Sequence, residues 1–271
     1  MTRLSPRLRL GPTGSLATRD FVSVSPGTSL SHVRKVMRTT GARVVLVVED
    51  GRLQGWVARS NVLTVTSRKT HATAKDVMEY PKVVAYPSDE VSDVVARMLD
   101  YDEWYAPVVE EQEPVGLLGL EHVIKAGLER APDRLTGARV DEIMTPDPVT
   151  VGADDYIQSI WALMRDRKYA GFPVVDEKGR LIGIITQYDL IARGYTRIEL
   201  ESSSGPARGP RVRDAMRHTV YYLYPWSSVA EAAQLMVEKG IGRVPIVRNE
   251  ESRRLVGIVD REDVVRFLLG M

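Results

Sequence analysis

The stretch Gly183-Ile184-Ile185-Thr186-Gln187-Tyr188-Asp189-Leu190 decides the fold of this chain. A short apolar run, typical of a β-strand, ends in a hydroxyl side chain, and a carboxylate follows three residues later. Thr186 stands where a helix N-cap would stand, because its side-chain oxygen can accept hydrogen bonds from the free amides of the first turn. The stretch therefore predicts the end of a strand followed directly by the first turn of a helix.

Two explanations of the pair Thr186 and Asp189 are open at this point. A helix N-terminus with spare N–H groups favours an anion, and a carboxylate beside it can accept two hydrogen bonds from a vicinal diol. Phosphate and ribose could then be held within one helical turn. In the plainer explanation, the two side chains form a capping box and bind no ligand.

The same layout occurs three more times, and a second apolar run precedes each copy. The further copies lie at 55–62, 116–123 and 257–264, and the upstream runs at 43–48, 105–109, 172–175 and 243–247. With the helix and short strand before them, the copies have the order β-α-β-β-α. Ser228, with Glu231 three residues later, has capping-box spacing and predicts a helix start in the fourth copy. Such internal repeats determine the architecture.

Composition fits a compact protein. With 271 residues, 44% hydrophobic and 27% charged, the chain can bury sizeable cores, and its length suggests about two domains. No apolar run approaches the roughly 20 residues of a membrane span, and no signal peptide pattern opens the sequence. We therefore expect a cytoplasmic protein. Cysteine is absent, which excludes disulfides, thiolate metal sites and thiol nucleophiles.

Two segments lack the apolar period of a packed element. Residues 1–17 contain Arg3, Arg7 and Arg9 but no acid, and they predict a basic flexible arm. This arm is either a solvated tail or a contact for phosphates of RNA or of a partner. Residues 195–210 are rich in Ser, Gly and Pro and predict a linker.

The repeats resemble four tandem CBS motifs, the small modules named after cystathionine beta-synthase. The resemblance rests on 141–145 (Asp-Glu-Ile-Met-Thr), on 171–176 (Gly-Phe-Pro-Val-Val-Asp), on the opening stretch and on the matching segments of the fourth copy. It implies a stand-alone α/β protein whose four β-α-β-β-α motifs pair into two modules, packed as a flat disc. Motifs 1 and 2, about 18–70 and 73–130, would form the module 18–130, and motifs 3 and 4, 138–194 and 211–271, the module 138–271.

The resemblance also implies ligand sites, and the four motifs are unequal. In motif 3, Asp189 matches the family's ribose-binding aspartate and Thr186 the hydroxyl that contacts ribose or phosphate. In motif 4, Asp263 matches the aspartate, but Asp260 replaces the hydroxyl and would repel a phosphate by on the order of 1 kcal/mol. Motif 1 offers Asn61, whose neutral amide makes a weaker candidate. Motif 2 has Gly119 and His122 in these places and is degenerate.

A phosphate needs a cation, which in this family comes from the partner motif. Arg243 stands before the second strand of motif 4, and we expect it to join Asp189 and Thr186, together with His218; the plainer alternative is a surface cation. Arg43 is taken as the corresponding, weaker candidate of motif 1. The second cleft of this module would join Asp263 to the three motif 3 residues Met144, Thr145 and Ala170. Met144 is more typical of a core position.

The sequence argues against an enzyme. The four histidines, His32, His71, His122 and His218, lack metal-ligand spacing, and the glycines match no nucleotide-binding loop of the Walker or dinucleotide type. Asp260 and Asp263 suggest a capped helix start rather than a metal site. We expect neither a catalytic residue nor a metal nor an obligatory cofactor.

The resemblance implies a regulatory protein that binds AMP, ADP or ATP, with S-adenosylmethionine less favoured, and signals energy state to an unknown regulated protein. One alternative is a hibernation-type factor that binds the ribosome or RNA through the basic arm and the linker cations Arg208, Arg211, Arg213 and Arg217. Another is a structural subunit with empty clefts. No membrane contact is expected, and a homodimer is left open.

Overall fold

The computed structural model describes residues 8–63, 65, 71–196 and 209–271. The chain divides into two compact units. Unit 1 comprises Met1–Phe21, Pro81–Pro148 and Tyr221–Met271, and unit 2 comprises Val22–Tyr80 and Val149–Val220. Each unit is thus assembled from separate stretches of the chain.

The fold is mixed α/β, as predicted, and every motif supplies two long strands followed by a helix. The elements are β1 (Ser23–Val24), α1 (Leu30–Thr40), β2 (Val44–Glu49), β3 (Arg52–Ala58), α2 (Arg59–Leu63), α3 (Val91–Asp100), β4 (Tyr105–Glu110), β5 (Glu113–Gly119), α4 (Leu120–Arg130), α5 (Pro132–Thr136), β6 (Thr145–Pro146), β7 (Val151–Gly152), α6 (Ile157–Arg167), β8 (Gly171–Val175), β9 (Leu181–Thr186), α7 (Gln187–Ala192), α8 (Val212–Ala215), α9 (Val229–Glu238), β10 (Arg243–Val247), β11 (Leu255–Asp260) and α10 (Arg261–Leu269).

The sheets of unit 2 have the orders β1-β2-β3 and β7-β8-β9, in which the short first strand runs parallel to the second and the third runs antiparallel. In unit 1, β4 pairs with β5, and β11 lies between β10 and β6. Single parallel bridges, Ala85 with Val108 and Leu223 with Ile246, take the place of the short first strands there. The motifs are therefore variations on one topology.

Local sequence signals place the helix starts. Ser228 caps α9, because its hydroxyl accepts from Glu231 N at 3.2 Å while the Glu231 carboxylate accepts from Ser228 N at 2.7 Å. This confirms the predicted capping box. Ser29 caps α1 in a similar way. Asp50 and Gly51 have positive φ angles of 50° and 78°, as expected for a hairpin turn whose geometry suits Gly.

Each unit has one hydrophobic core. Helices α3, α4, α9 and α10 fill the cluster of unit 1, where Val94, Val123, Met236 and Val264 are fully buried. Helices α1, α6 and α7 fill the cluster of unit 2. Because the cores group motif 2 with motif 4 and motif 1 with motif 3, the compact units differ from the contiguous modules 18–130 and 138–271. The pairing into those modules and the flat disc stay predictions.

The described part of the expected flexible arm, residues 8–17, is packed within unit 1. Leu10 is 1% exposed, and its amide donates to Glu90 Oε1 at 3.0 Å. Thr13 N donates to the Asp89 carbonyl at 2.7 Å. Burial of Leu10 in the core explains why this part differs from the expectation. Residues 1–7, with Arg3 and Arg7, lie outside the described residues.

None of the helices in the described ranges combines the length and the apolar character that a bilayer crossing requires.

Candidate functional site

The candidate site residues lie where the third strand of each motif passes directly into its last helix. The four junctions are Ala58–Arg59, Gly119–Leu120, Thr186–Gln187 and Asp260–Arg261. At each junction, the side chain three residues after the strand end accepts a hydrogen bond from the backbone N–H of the strand's last residue. The repeat therefore places one acceptor, Asn61, His122, Asp189 or Asp263, at the same point of every motif.

The motif 3 junction carries the most buried of these candidate carboxylates. Thr186 caps α7, accepting from Asp189 N at 3.3 Å, while Asp189 Oδ2 accepts from Thr186 N at 2.9 Å and from Thr186 Oγ1 at 2.5 Å. Asp189 is 6% exposed. The capping box of the plainer explanation is therefore present, and it holds the carboxylate in one orientation.

The second oxygen of Asp189 is bound by a cation that sequence reasoning placed elsewhere. Arg217 Nε lies 2.9 Å from Asp189 Oδ1, and the Arg217 side chain is 48% exposed. Arg217 was considered only as an RNA contact. It lies directly after Met216 in the segment that precedes the first strand of motif 4, which we call the lead-in segment of that motif. No local signal shows that this segment reaches the strand of another motif.

Lead-in segments are exchanged in the same way at all four junctions. Each forms an antiparallel bridge to the third strand of a different motif, two residues before the strand's last residue. The bridged pairs are Trp56 with Glu79, Leu117 with Thr18, Ile184 with Arg217 and Ile258 with Thr145. The lead-in segment of motif 2 thus bridges to the third strand of motif 1, and the lead-in segment of motif 1 bridges to the third strand of motif 2. Motifs 3 and 4 exchange their lead-in segments in the same way. The exchange therefore takes place between motifs 1 and 2 and between motifs 3 and 4.

The exchange explains the repeated glycine of the third strand. A Cβ built at Gly183 would come within 2.8 Å of Met216 Sδ and 3.0 Å of the Arg217 carbonyl. A Cβ built at Gly257 would meet the Met144 side chain. Met216 is 5% exposed and part of the core of unit 2, where a flexible Met side chain fills an apolar gap. Gly183 is needed because another backbone lies directly over it.

Gly183→Ala is expected to lower the free energy of unfolding by about 1 to 3 kcal/mol, because the added methyl group overpacks the strand against the lead-in segment. Gly27→Ala is the control within the same unit, since a Cβ built there meets nothing within 4 Å. Urea denaturation of both variants measures the difference. Equal stability of the two variants would contradict the close approach.

The motif 4 junction contains two acids rather than a hydroxyl and an acid. Asp260 caps α10, its Oδ1 accepting from Glu262 N at 2.9 Å and from Asp263 N at 3.2 Å, and Asp263 Oδ2 accepts from Asp260 N at 2.8 Å. Burial and then the charge of Asp260 raise the pKa of Asp263 to about 7. The bridge of Ile258 with Thr145 brings Thr145 and Met144 to the strand that ends at Asp260.

The two arginines proposed as phosphate contacts do not occupy equivalent positions. Arg243 is the cross-strand partner of Asp260, the last residue of β11, and its guanidinium lies 5.9 Å from the Trp104 ring centroid. In motif 1, the partner of the equivalent Ala58 is Val44, so Arg43 precedes the equivalent position by one residue. The expected correspondence between Arg43 and Arg243 is therefore off by one residue. In a strand, a shift of one residue turns a side chain to the opposite face of the sheet.

The junctions of motifs 1 and 2 use neutral acceptors. Asn61 Oδ1 accepts from Ala58 N at 2.7 Å, and its Nδ2 donates to Glu79 Oε1 at 2.8 Å. His122 Nδ1 accepts from Gly119 N at 2.9 Å. Burial lowers the pKa of His122, and this favours the neutral ring that can accept such a bond.

A buried ion pair lies beside the junctions of motifs 2 and 4 in unit 1. Arg261, which is 3% exposed, donates through Nη1 to Glu121 Oε2 at 2.7 Å. Tyr105 Oη donates to Glu121 Oε1 at 2.9 Å and lies 3.4 Å from Arg261 Nη1. Within the described residues, Arg261 Nε has no hydrogen-bond partner.

Several expected combinations join residues that belong to different units. Asp189, Thr186, His218 and Ala170 are in unit 2, whereas Arg243 and Asp263 are in unit 1. His218 is exposed, and the Ala170 carbonyl accepts from Gln187 N at 2.9 Å. Joint contact of Asp189 with Arg243, and of Asp263 with Ala170, stays a prediction.

The linker cations of the RNA alternative are largely paired with acids. Arg211 Nη1 lies 3.0 Å from Asp154 Oδ1, and Arg213 also pairs with Asp154. Arg217 pairs with Asp189, and Arg208 lies outside the described residues. These pairs reduce the positive charge that this surface can offer to phosphates.

Comparison with known proteins agrees with the repeat pattern and the topology. The CBS domain model matches residues 14–68, 74–129, 140–194 and 212–270. An uncharacterized protein of Methanocaldococcus jannaschii, MJ1404, is 27% identical over 269 residues, covering 96% of this chain and 62% of that protein. The chain thus spans less than two thirds of this relative's length.

Two solved structures share the fold over nearly the whole chain. Protein MJ1225 of Methanocaldococcus jannaschii superposes with a TM-score of 0.81 at 20% identity, covering 94% of this chain and 99% of that chain. A conserved protein of Pyrococcus horikoshii has a TM-score of 0.64 at 20% identity, covering 96% and 100%. With four matched segments in register, the chain belongs to the CBS domain family and carries four CBS domains.

Proposed function

We propose that this chain is a regulatory protein that binds an adenosine-containing ligand, AMP, ADP or ATP, at the Thr186–Asp189 junction of motif 3. The observation that carries the proposal is a buried carboxylate with a half-exposed cation attached to it. Asp189 is 6% exposed, and the Arg217 guanidinium lies 2.9 Å from its Oδ1. A ribose diol needs such an acceptor, and a phosphate needs such a cation.

The capping box holds the Asp189 carboxylate in a fixed orientation before a ligand binds. Because Thr186 N and Oγ1 fix Oδ2, a ligand does not have to order the side chain on binding. A buried carboxylate also makes stronger charge-assisted hydrogen bonds than an exposed one. The proposal includes Arg243 and His218 as further phosphate contacts, as the family resemblance implies.

Regulation requires that a partner distinguishes the ligand states. A ligand shifts the state of a protein only by its differential affinity for two conformations, and the partner must prefer one of them. The proposed role is therefore binding and signalling rather than catalysis. The side chains described at the four junctions cap helices or form ion pairs, which suits binding.

Calorimetric titration of AMP, ADP, ATP and S-adenosylmethionine into the nucleotide-free protein tests the proposal. We expect a micromolar Kd for at least one adenine nucleotide, equivalent to about 8 kcal/mol. Asp189→Ala is expected to weaken binding at least about hundredfold, because the charge-assisted bonds to the ribose are lost.

Asp214→Ala serves as the matched control. Asp214 Oδ2 accepts from Arg211 N at 2.7 Å and caps α8 in the same unit, so this variant loses a similar capping bond without touching Asp189. It should bind like the unaltered protein. No heat from any ligand with folded protein would overturn the proposal and would favour the structural-subunit or RNA alternatives. Unchanged binding by Asp189→Ala would overturn the assigned site.

A further inference from the structure

We propose that, at the two junctions of unit 2, the lead-in residue next to the junction acceptor sets the charge of the ligand that the junction admits. In unit 2, Arg217 makes the Asp189 junction select a ligand that carries phosphate, and Glu79 makes the Asn61 junction exclude one. This inference rests on the proposed function. It assigns Arg217 and Glu79 a role in specificity that the family pattern at the strand ends does not contain.

The two side chains occupy equivalent positions. Ile184 and Arg217 exchange two backbone hydrogen bonds, of 3.0 and 2.8 Å, and Trp56 and Glu79 exchange two of 2.9 and 3.0 Å. Ile184 is two residues before Thr186, just as Trp56 is two residues before Ala58. The lead-in segments therefore deliver Arg217 and Glu79 to the same place in the two motifs.

Both side chains also bind the acceptor of their junction. Arg217 Nε lies 2.9 Å from Asp189 Oδ1, and Asn61 Nδ2 donates to Glu79 Oε1 at 2.8 Å. The charges differ in sign, however. The motif 3 junction combines a carboxylate with a guanidinium, and the motif 1 junction combines a neutral amide with a carboxylate. The first combination has no net charge and offers a phosphate a cation, whereas the second has a net negative charge and would repel a phosphate.

Arg217 also competes with a ribose for Asp189. The capping box fills both acceptor positions of Oδ2, so a diol that donates two hydrogen bonds to the carboxylate needs both positions of Oδ1, one of which Arg217 occupies. The bond uses Nε, and a guanidinium has four further N–H donors. A ligand with a phosphate can rebind the displaced guanidinium, whereas a nucleoside without phosphate leaves it in solvent. The ion pair thus favours a ligand with a phosphate over a nucleoside without one, because Arg217 can exchange Asp189 for the phosphate.

Calorimetric titration of AMP and of adenosine into the full chain tests the role of Arg217. In Arg217→Gln, we expect AMP to bind about tenfold more weakly or worse, because a charge-assisted contact with phosphate is lost. Adenosine should bind equally well or up to about fivefold more tightly, because the competing ion pair, half exposed and weak, is gone. Weaker binding of AMP without weaker binding of adenosine is the signature of the exchange.

Two further variants complete the experiment. Arg180→Gln removes another half-exposed arginine that pairs with an aspartate in unit 2, Asp176 at 2.7 Å, and it should leave both affinities unchanged. Glu79→Arg places a guanidinium beside Asn61, in the position that Arg217 has in motif 3, and we expect a second equivalent of AMP to bind.

The outcomes separate this inference from the proposed function. If the unaltered protein binds neither AMP nor adenosine, both the proposed function and this inference are overturned. If it binds AMP and Arg217→Gln weakens AMP and adenosine equally, Arg217 only supports the fold of the site, and the inference alone is overturned. Unchanged AMP stoichiometry in a folded Glu79→Arg variant overturns the assignment to Glu79.

Discussion

Glu121→Leu is expected to lower the free energy of unfolding by about 3 kcal/mol, because it leaves the Arg261 guanidinium buried without its counter-ion. Arg261 is 3% exposed, and within the described residues its Nε already lacks a hydrogen-bond partner. The remaining Tyr105 hydroxyl, 3.4 Å from Nη1, cannot replace a carboxylate at 2.7 Å. Urea denaturation at neutral pH measures the loss.

The double variant Glu121→Leu/Arg261→Met is the decisive control. Replacing both members of a buried ion pair by apolar residues is often close to neutral, so the double variant should recover most of the stability lost by the single one. Arg261→Met alone should lower the free energy of unfolding less than Glu121→Leu does, since the Glu121 side chain is 26% exposed and water can reach it. A single variant as stable as the unaltered protein would show that Arg261 does not depend on Glu121.

Asp263→Asn is expected to stabilise the protein at pH 8 and to have little effect at pH 5. Burial, and then the Asp260 charge, raise the pKa of Asp263 from its usual 3.8 to about 7. The folded protein therefore keeps a proton that the unfolded chain has lost, and stability falls as the pH rises from about 4 to about 7. Above that window, the ionised carboxylate destabilises the folded protein, and the neutral amide avoids this loss.

Thermal unfolding at pH 5 and pH 8 measures this difference. Asparagine keeps an oxygen that can accept from Asp260 N, so the capping bond is retained. Asp189→Asn is the matched control: it loses the ion pair with Arg217, and it should be destabilised at both pH values. An Asp263→Asn variant that is destabilised at pH 8 would contradict the raised pKa.

Local signals predicted most of the fold. The hydroxyl and acid spacing of Ser228 and Glu231 predicted a capped helix, which the structure shows. Val91, Val94 and Met98 recur at helical spacing, a pattern that predicts a buried helix face, and all three are fully buried. Such features depend on residues within a few positions of each other, so the sequence pattern contains them.

The candidate site was predictable only in part. Thr186 and Asp189 follow from the repeat, but the pairing of Arg217 with Asp189 depends on a bridge between residues 33 positions apart, Ile184 and Arg217. Register was a second difficulty, because the sequence alone aligned Arg43 with Arg243, whereas the ladder places Val44 there. Both features are set by tertiary pairing, which no local periodicity records.

The division of the chain has a consequence for fragments of this protein. Because unit 2 needs Val22–Tyr80 together with Val149–Val220, no single contiguous fragment contains either unit without residues of the other. A fragment that stops before residue 212 would keep Gly183 and Ile184 but leave their strand with an open edge, a template for association with other chains. Limited proteolysis should therefore give nicked chains that stay together, and recombinant halves are expected to aggregate unless both are produced in the same cell.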